Sequence, residues 1–342
     1  MENLELWKKL YTLAETYYKL APWEWMYEQD NFAIRVPSNN KVYFVSIMGS
    51  GGEHNAITAY EGTAGFSKFI DLANNPAAYP PETILTIPQV MLSFERGIRG
   101  IHKDQKAIMK ALGLTYKGKF KLPHLTQTIP GYMPFTPEIA VIEDFIVVLE
   151  QAIEVGKLTK VDKELLDSQS DAYDIYLARK AKPNGNGYEW YNEFETFDFN
   201  IEPLPILWPE IKLMQLAKMP TKGHVLEIDI KLLPMPVKEK GKKDFFPTVL
   251  LVVDEASGFV LHSDLIAPKP NLEASYATIP SMVLEALLKL KINPKKIKIS
   301  SIVLQDLFFD TFEKSHIKVE MEDYLENCSD ALENLLDQFG IS

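Results

Sequence analysis

The stretch TVLLVVDEASGFVLHSDLIA, Thr248 to Ala267, sets an acid at the end of an apolar run. A carboxylate held at a strand end can act as a general base or a metal ligand, so Asp254 is the first candidate for chemistry. A turn explains the same residues. Aspartate accepts hydrogen bonds from the backbone N–H groups ahead of it, and Gly258 can take the positive φ of a hairpin loop. The turn reading is favoured. Ser257 and Ser263 lack the strand–turn–helix setting of a nucleophile. GSGGE, Gly49 to Glu53, lacks the Lys-Ser/Thr ending of a phosphate loop, and its flanks alternate like hairpin strands. The six histidines, His54, His102, His124, His224, His262 and His316, show no spacing that would hold a metal. KLKINPKKIK, Lys289 to Lys298, suits an anionic partner, but a solvated helix-to-strand loop explains it as well. Trp23, Trp25, Tyr132 and Phe135 lie in the proline-flanked segments PWEW and PGYMPF. Aromatic side chains carry much of interface energy, so these four are the candidate contacts for a protein or peptide.

Those residues sit in a chain of 342 with 46% hydrophobic and 24% charged residues, enough apolar material for real cores and about two domains. The net charge of −11 disfavours binding along a phosphate backbone. Cys328 is the only cysteine, so no internal disulfide and no cysteine cluster for zinc can form. No metal or other cofactor is expected from these residues. The N-terminal stretch carries charges unlike those of a signal peptide, and the apolar runs fall far short of the roughly 20 residues that span a bilayer. The expectation is a cytoplasmic protein with no membrane contact.

The elements follow from periodicity. Leu6, Leu10, Leu13, Tyr17 and Leu20 predict a first helix, ended by Pro22. Strands follow in FAIRVP, VYFVSIMG, AITAYEG and TILTIPQVMLSFERG, with helices in TAGFSKFIDLANN and HKDQKAIMKALGL. Ile142, Phe145, Ile146, Leu149 and Ile153 stripe a long helix. Residues 167 to 187 carry a loop signal, then YEWYNEFETFDF alternates as an aromatic strand. From His224, HVLEIDIKLL alternates with Glu227, Asp229 and Lys231 on the polar side. TVLLVVD and FVLHSDLIA add two strands, and KIKISSIVL and IKVEME two more, with helices between. A last helix is expected after an Asp323 N-cap, striped by Leu325, Cys328, Leu332, Leu335 and Phe339. The domains expected are an α+β domain over 1–166, a linker with the aromatic strand and a short helix over 167–222, and an α/β domain over 223–342.

The second domain reads β-β-β-α-β-α-β-α, and this order resembles the ribonuclease H-like fold. That resemblance implies two Mg²⁺ ions held by about four converging carboxylates. The matching positions hold Asp229, Glu285, Asp306 and Asp330 or Glu333. Each also has a plain structural explanation: Asp229 on a solvated strand face, Glu285 paired with Lys289 along a helix, Asp306 as an N-cap after a strand, and Asp330 and Glu333 on a solvated helix face, with Asp330 turned away from the core stripe. LAPWEWM, VSIMGSGGEHNAITAYEG, IPGYMPF and LLVVDEASGFVL resemble a bacterial family of two-domain proteins known only as domains of unknown function. This resemblance covers most of the chain, implies a bacterial cytosolic protein and brings no site residues. The function expected is therefore non-enzymatic binding of a protein or peptide. The alternative is a metal-dependent nuclease, or a degenerate relative, using Asp229, Glu285 and Asp306 with Mg²⁺.

Overall fold

The computed structural model describes residues 3–52, 54–76, 81–114, 121–167, 174–185, 187–200, 204, 206, 209–313, 315, 317–338 and 340. They form two compact units. The first holds Met1–Ile129 and Pro134–Ile201, the second Pro130–Met133 and Glu202–Ser342. Glu53 and His316 lie outside the described residues, as do Phe339 and parts of the expected linker.

In the first unit, α1 (Leu4–Leu20) buries Trp7, Leu10, Tyr11, Ala14 and Tyr17, one side of a 3.6-residue helix. It stops at Ala21 in the left-handed region, with Pro22 next. The strands β1 (Phe32–Arg35), β2 (Val42–Met48) and β3 (Ala56–Glu61) form an antiparallel meander. Gly49 has φ 124°, and a Cβ there would meet the Asn55 side chain at 2.7 Å, so only glycine fits the β2–β3 loop. Then come α2 (Gly62–Asn74), β4 (Gln89–Glu95), α3 (Lys103–Ala111) and β5 (Leu122–Thr128). The chain returns through α4 (Ile139–Val161) to β6 (Ile175–Asn184) and β7 (Gly187–Thr196). The sheet order is β5-β4-β3-β2-β1-β6-β7, antiparallel throughout except for the parallel pair β1–β6. The helices α1 and α4 cover one face. Phe44, Tyr60, Phe66 and Phe197 fill a smaller aromatic core on the other, against α2.

In the second unit the elements are α5 (Glu210–Ala217), β8 (Val225–Leu232), β9 (Thr248–Asp254), β10 (Val260–Ile266), α6 (Leu272–Tyr276), α7 (Ile279–Leu290), β11 (Lys296–Ile299), α8 (Ile302–Glu313), β12 (Lys318–Met321) and α9 (Glu326–Gln338). The sheet order is β10-β9-β8-β11-β12. The pairs β10–β9 and β9–β8 are antiparallel, and β8–β11 and β11–β12 are parallel. Ile228, Ile230, Leu250, Val252, Ile297 and Ile299 form one face, packed on α7 and α8 through residues such as Leu284, Leu287, Leu304 and Phe308. Val249, Leu251 and Val253 form the other face, packed on α9 through Leu325, Cys328, Leu332 and Leu335. Both sheets are mixed, and the protein is a two-unit structure of helices and strands.

Three local expectations change. The segment 175–184, expected as loop, is β6: its ten residues pair one for one with β7, from Ile175 with Thr196 to Asn184 with Gly187. The strand expected over KIKISSIVL stops at Ile299, and α8 starts at Ile302, so Asp306 lies inside a helix rather than capping one. The last helix starts at Glu326, three residues beyond Asp323.

Candidate functional site

The polar side of β8 is not simply a solvated face. Strand alternation turns Glu227 and Asp229 to the α9 side, and Glu227 is buried there at 4% exposure. One carboxylate oxygen accepts the Cys328 backbone N–H at 2.9 Å, the other the Asn327 Nδ2–H at 2.7 Å. Cys328 is in the first turn of α9, whose N–H groups lack partners within the helix. The capping group of α9 is therefore a strand carboxylate, placed where the helix dipole favours negative charge. Cys328 itself is buried, and burial with the neighbouring Asp229 and Glu227 charges pushes its thiol well up. It stays a neutral thiol and a poor nucleophile.

Asp229 accepts from the Ser300 hydroxyl at 3.1 Å and from the Ile230 N–H at 2.9 Å. Burial raises its carboxyl above the ordinary range, and those two hydrogen bonds only partly offset the rise. Beside it the face turns ionic. Lys298 of β11 meets Glu255 at 2.8 Å and Glu322 at 3.3 Å.

Glu285 and Asp306 do not join Asp229. They belong to α7 and α8, which pack on the opposite face of the sheet from α9. Glu285 is exposed and accepts from Lys289 and Lys212, each at 3.1 Å. These cations hold its carboxyl below the usual range. Asp306 is exposed on α8. Among the described residues no three His, Cys, Asp or Glu side chains form a group able to hold a metal ion.

Asp254 closes the β9–β10 turn. It accepts from the Ser257 hydroxyl at 2.6 Å, the Ser257 N–H at 3.2 Å and His224 Nδ1 at 2.8 Å. Its carbonyl accepts the Gly258 N–H. Ser257 and His224 hold its carboxyl below the usual range. Serine and histidine both point to the acid rather than to each other, so His224 is not placed as a base for Ser257.

The four candidate aromatics divide between the units. Trp23 and Trp25 are half-buried against the core of the first unit. Trp23 meets Tyr17 edge-on and Tyr18 and Phe94 at a tilt, and Trp25 donates to Thr159 Oγ1 at 3.3 Å beneath Lys160. Phe135, also in the first unit, pairs its backbone with Gln127. Tyr132 belongs to the second unit, where its hydroxyl donates to the Pro268 carbonyl at 2.6 Å.

One concave feature of the second unit is a groove of about 430 Å³ between α9 and the β9–β10 hairpin. Leu251, Val260 and Leu335 make its apolar part; Ser263, Asp330 and Asn334 line its polar side. Sequence reading misses it because its floor and wall lie more than sixty residues apart. The one signal was Asp330 and Asn334 at helical spacing beside the apolar stripe of α9.

A search of curated proteins finds no match to the chain. Two family models do match: the domain of unknown function DUF7309 over residues 7–178, and the domain of unknown function DUF6930 over residues 212–336. Both halves thus match domains of unknown function, as the segment resemblance implied. The first model covers half of the chain, and the protein belongs to the DUF7309 family.

Proposed function

We propose that the protein is a non-enzymatic, cytoplasmic binding module of bacterial origin that takes a protein or peptide in the groove beside α9. The observation that carries this reading is the groove itself: apolar and polar side chains side by side from both the hairpin and α9, in a unit whose conspicuous carboxylates are engaged in structure. Such a mixture suits an extended peptide, with side chains on the floor and polar groups fixing its direction. Trp23, Trp25 and Phe135 in the first unit and Tyr132 in the second remain the candidate aromatic contacts, each on its own unit. The second unit is on this reading a ribonuclease H-like domain without its metal site. The three-strand meander and the parallel entry of β11 and β12 beside β8 support that assignment.

The test is to pan a random-peptide phage library on the full chain and measure selected peptides against Val260→Glu and Asn334→Arg variants. The reading expects an affinity loss of about tenfold or more. Peptides that bind the variants as well as the parent, or no enrichment, would refute it.

The second reading, a metal-dependent nuclease or degenerate relative, rests on Asp229. It is a partly buried carboxyl whose partners are a hydroxyl and an amide rather than a cation. Two-metal chemistry needs ions about 3.5–4 Å apart, hence converging carboxylates, and Glu285 and Asp306 do not fit that pair. Cleavage of RNA or DNA with Mn²⁺ that is abolished by Asp229→Asn would favour this reading over binding.

A further inference from the structure

Among the described residues the two sheets end in four edge strands, β5, β7, β10 and β12. An edge strand presents a row of unpaired N–H and C=O groups, and proteins blunt such edges by shortness, charged side chains, proline, bulges or cover. Three edges carry one of these devices. β12 has four residues. β10 has a register slip between Val260 and His262. β5 contains Pro123, and Gln127 on it is bridged by Phe135. β7 is neither short, bulged nor proline-bearing, and its charges, Glu189, Glu193 and Glu195, guard it only against other acidic strands. It runs ten residues, Gly187 to Thr196, in unbroken register with β6 and without proline.

Its two rows of side chains differ. Glu189, Glu193 and Glu195 stand on one face with Tyr191 between them. Tyr188, Trp190 and Phe194 stand on the other with Asn192. Tyr188 is 53% exposed and Phe194 43%. The cations that answer the glutamates, Lys180 and Arg35, lie on the inner side of β7, on β6 and β1. A strand added outside β7 would therefore meet an acidic row on one face and an aromatic row on the other. Cross-strand neighbours of opposite charge and apolar pairs stabilise a sheet, and like charges side by side destabilise it. A second copy of this chain, paired antiparallel through β7, would set glutamate row beside glutamate row. A basic segment would not, and the chain's net charge of −11 draws one in.

We propose that β7 is a docking edge for an extended segment of a partner protein in which Lys or Arg alternates with apolar residues, added to the sheet by backbone pairing. The inference shares the binding reading above but uses another surface in another unit, and it stands or falls with β7 alone.

The test uses the full chain and fluorescence anisotropy with three labelled peptides. One alternates Lys and Val, one has the same residues in two blocks, and one is the alternating peptide with every second amide N-methylated. The alternating peptide should bind about tenfold more tightly than either control, because only it offers both the charge pattern and the backbone donors. Reversing charge with Glu189→Lys plus Glu193→Lys should remove that preference and favour an alternating Glu–Val peptide. Equal binding of the three peptides would mean bulk electrostatic attraction and would overturn the proposal. So would no binding by any, or a dimer that dissociates when β7 is altered. The peptide controls act on the parent chain, so the proposal remains testable if the charge-reversed variant fails to fold.

Discussion

Asp144 of the first unit and Glu227 of the second are both buried carboxylates, and they are held in different ways. Asp144 in α4 of the first unit is 6% exposed, Glu227 in β8 of the second 4%. Neither has a cation as hydrogen-bond partner. Asp144 accepts from Asn39 Nδ2 at 2.9 and 3.0 Å and from the Tyr43 hydroxyl at 3.1 Å, all side chains. Glu227 accepts from the first-turn N–H of α9 and from Asn327. Asp144 lies well inside its helix, where the helix supplies no free N–H. Glu227 instead meets orphan donors and the positive end of a helix dipole. The difference teaches that a buried acid serves the fold in two ways here: in the first unit it ties side chains together. In the second unit it fixes where a helix, and with it one wall of the groove, begins.

The largest effect should follow from removing the helix-held acid. Glu227→Ala strands the Cys328 N–H and Asn327 in a buried place and loses the cap, a cost of about 3 kcal/mol. Urea unfolding should show it, and loss of the groove's peptide binding should accompany it. Asp144→Ala should cost less, about 2 kcal/mol, because Asn39 and Tyr43 are side chains that can turn elsewhere. If the two variants unfold at the same urea concentration, the helix end adds nothing and the comparison fails.

Asp229 sharpens the contrast because its surroundings do not favour its charge. Burial raises its folded pKa above the unfolded value. The folded state therefore binds the proton more tightly than the unfolded state. The resulting penalty is absent below the unfolded pKa and grows as pH rises through the folded one. Asp229→Asn should then stabilise the protein by up to about 1 kcal/mol at neutral pH, with the gain fading in acid. Thermal melts across pH would read it, and a destabilised variant at neutral pH would give Asp229 a role beyond packing. The smallest effect belongs to Glu285. It is exposed and its two lysine contacts are surface pairs, so Glu285→Gln should leave the melting temperature unchanged at physiological salt.

The sequence made some of this legible. The stripe Ile142, Phe145, Ile146, Leu149, Ile153 is buried as its spacing requires. DEASG forms its turn, because aspartate and glycine satisfy a tight reversal locally. The β6 strand was hidden because IYLARKAKPN buries Leu177, Ala178 and Arg179 at its start, then runs exposed toward NGNG, which reads as loop. The start of α8 was hidden because SSIVL is a short apolar run with no period to separate helix from strand. For the site, alternation placed Glu227 and Asp229 on one face but could not say that α9 lies over it. That depends on Leu325 and Cys328 packing on Val249, Leu251 and Val253, contacts of long sequence separation. The same separation hid the opposed faces that keep Asp229 from Glu285 and Asp306.

The central claim is that the groove beside α9 is the binding surface. Hydrogen–deuterium exchange of the full chain, with and without a peptide selected on it, tests this most directly. The account predicts slowed exchange in the β9–β10 hairpin around Gly258 to Ser263 and in α9 from Asn327 to Gln338. A peptide that binds and leaves both segments unprotected would contradict it.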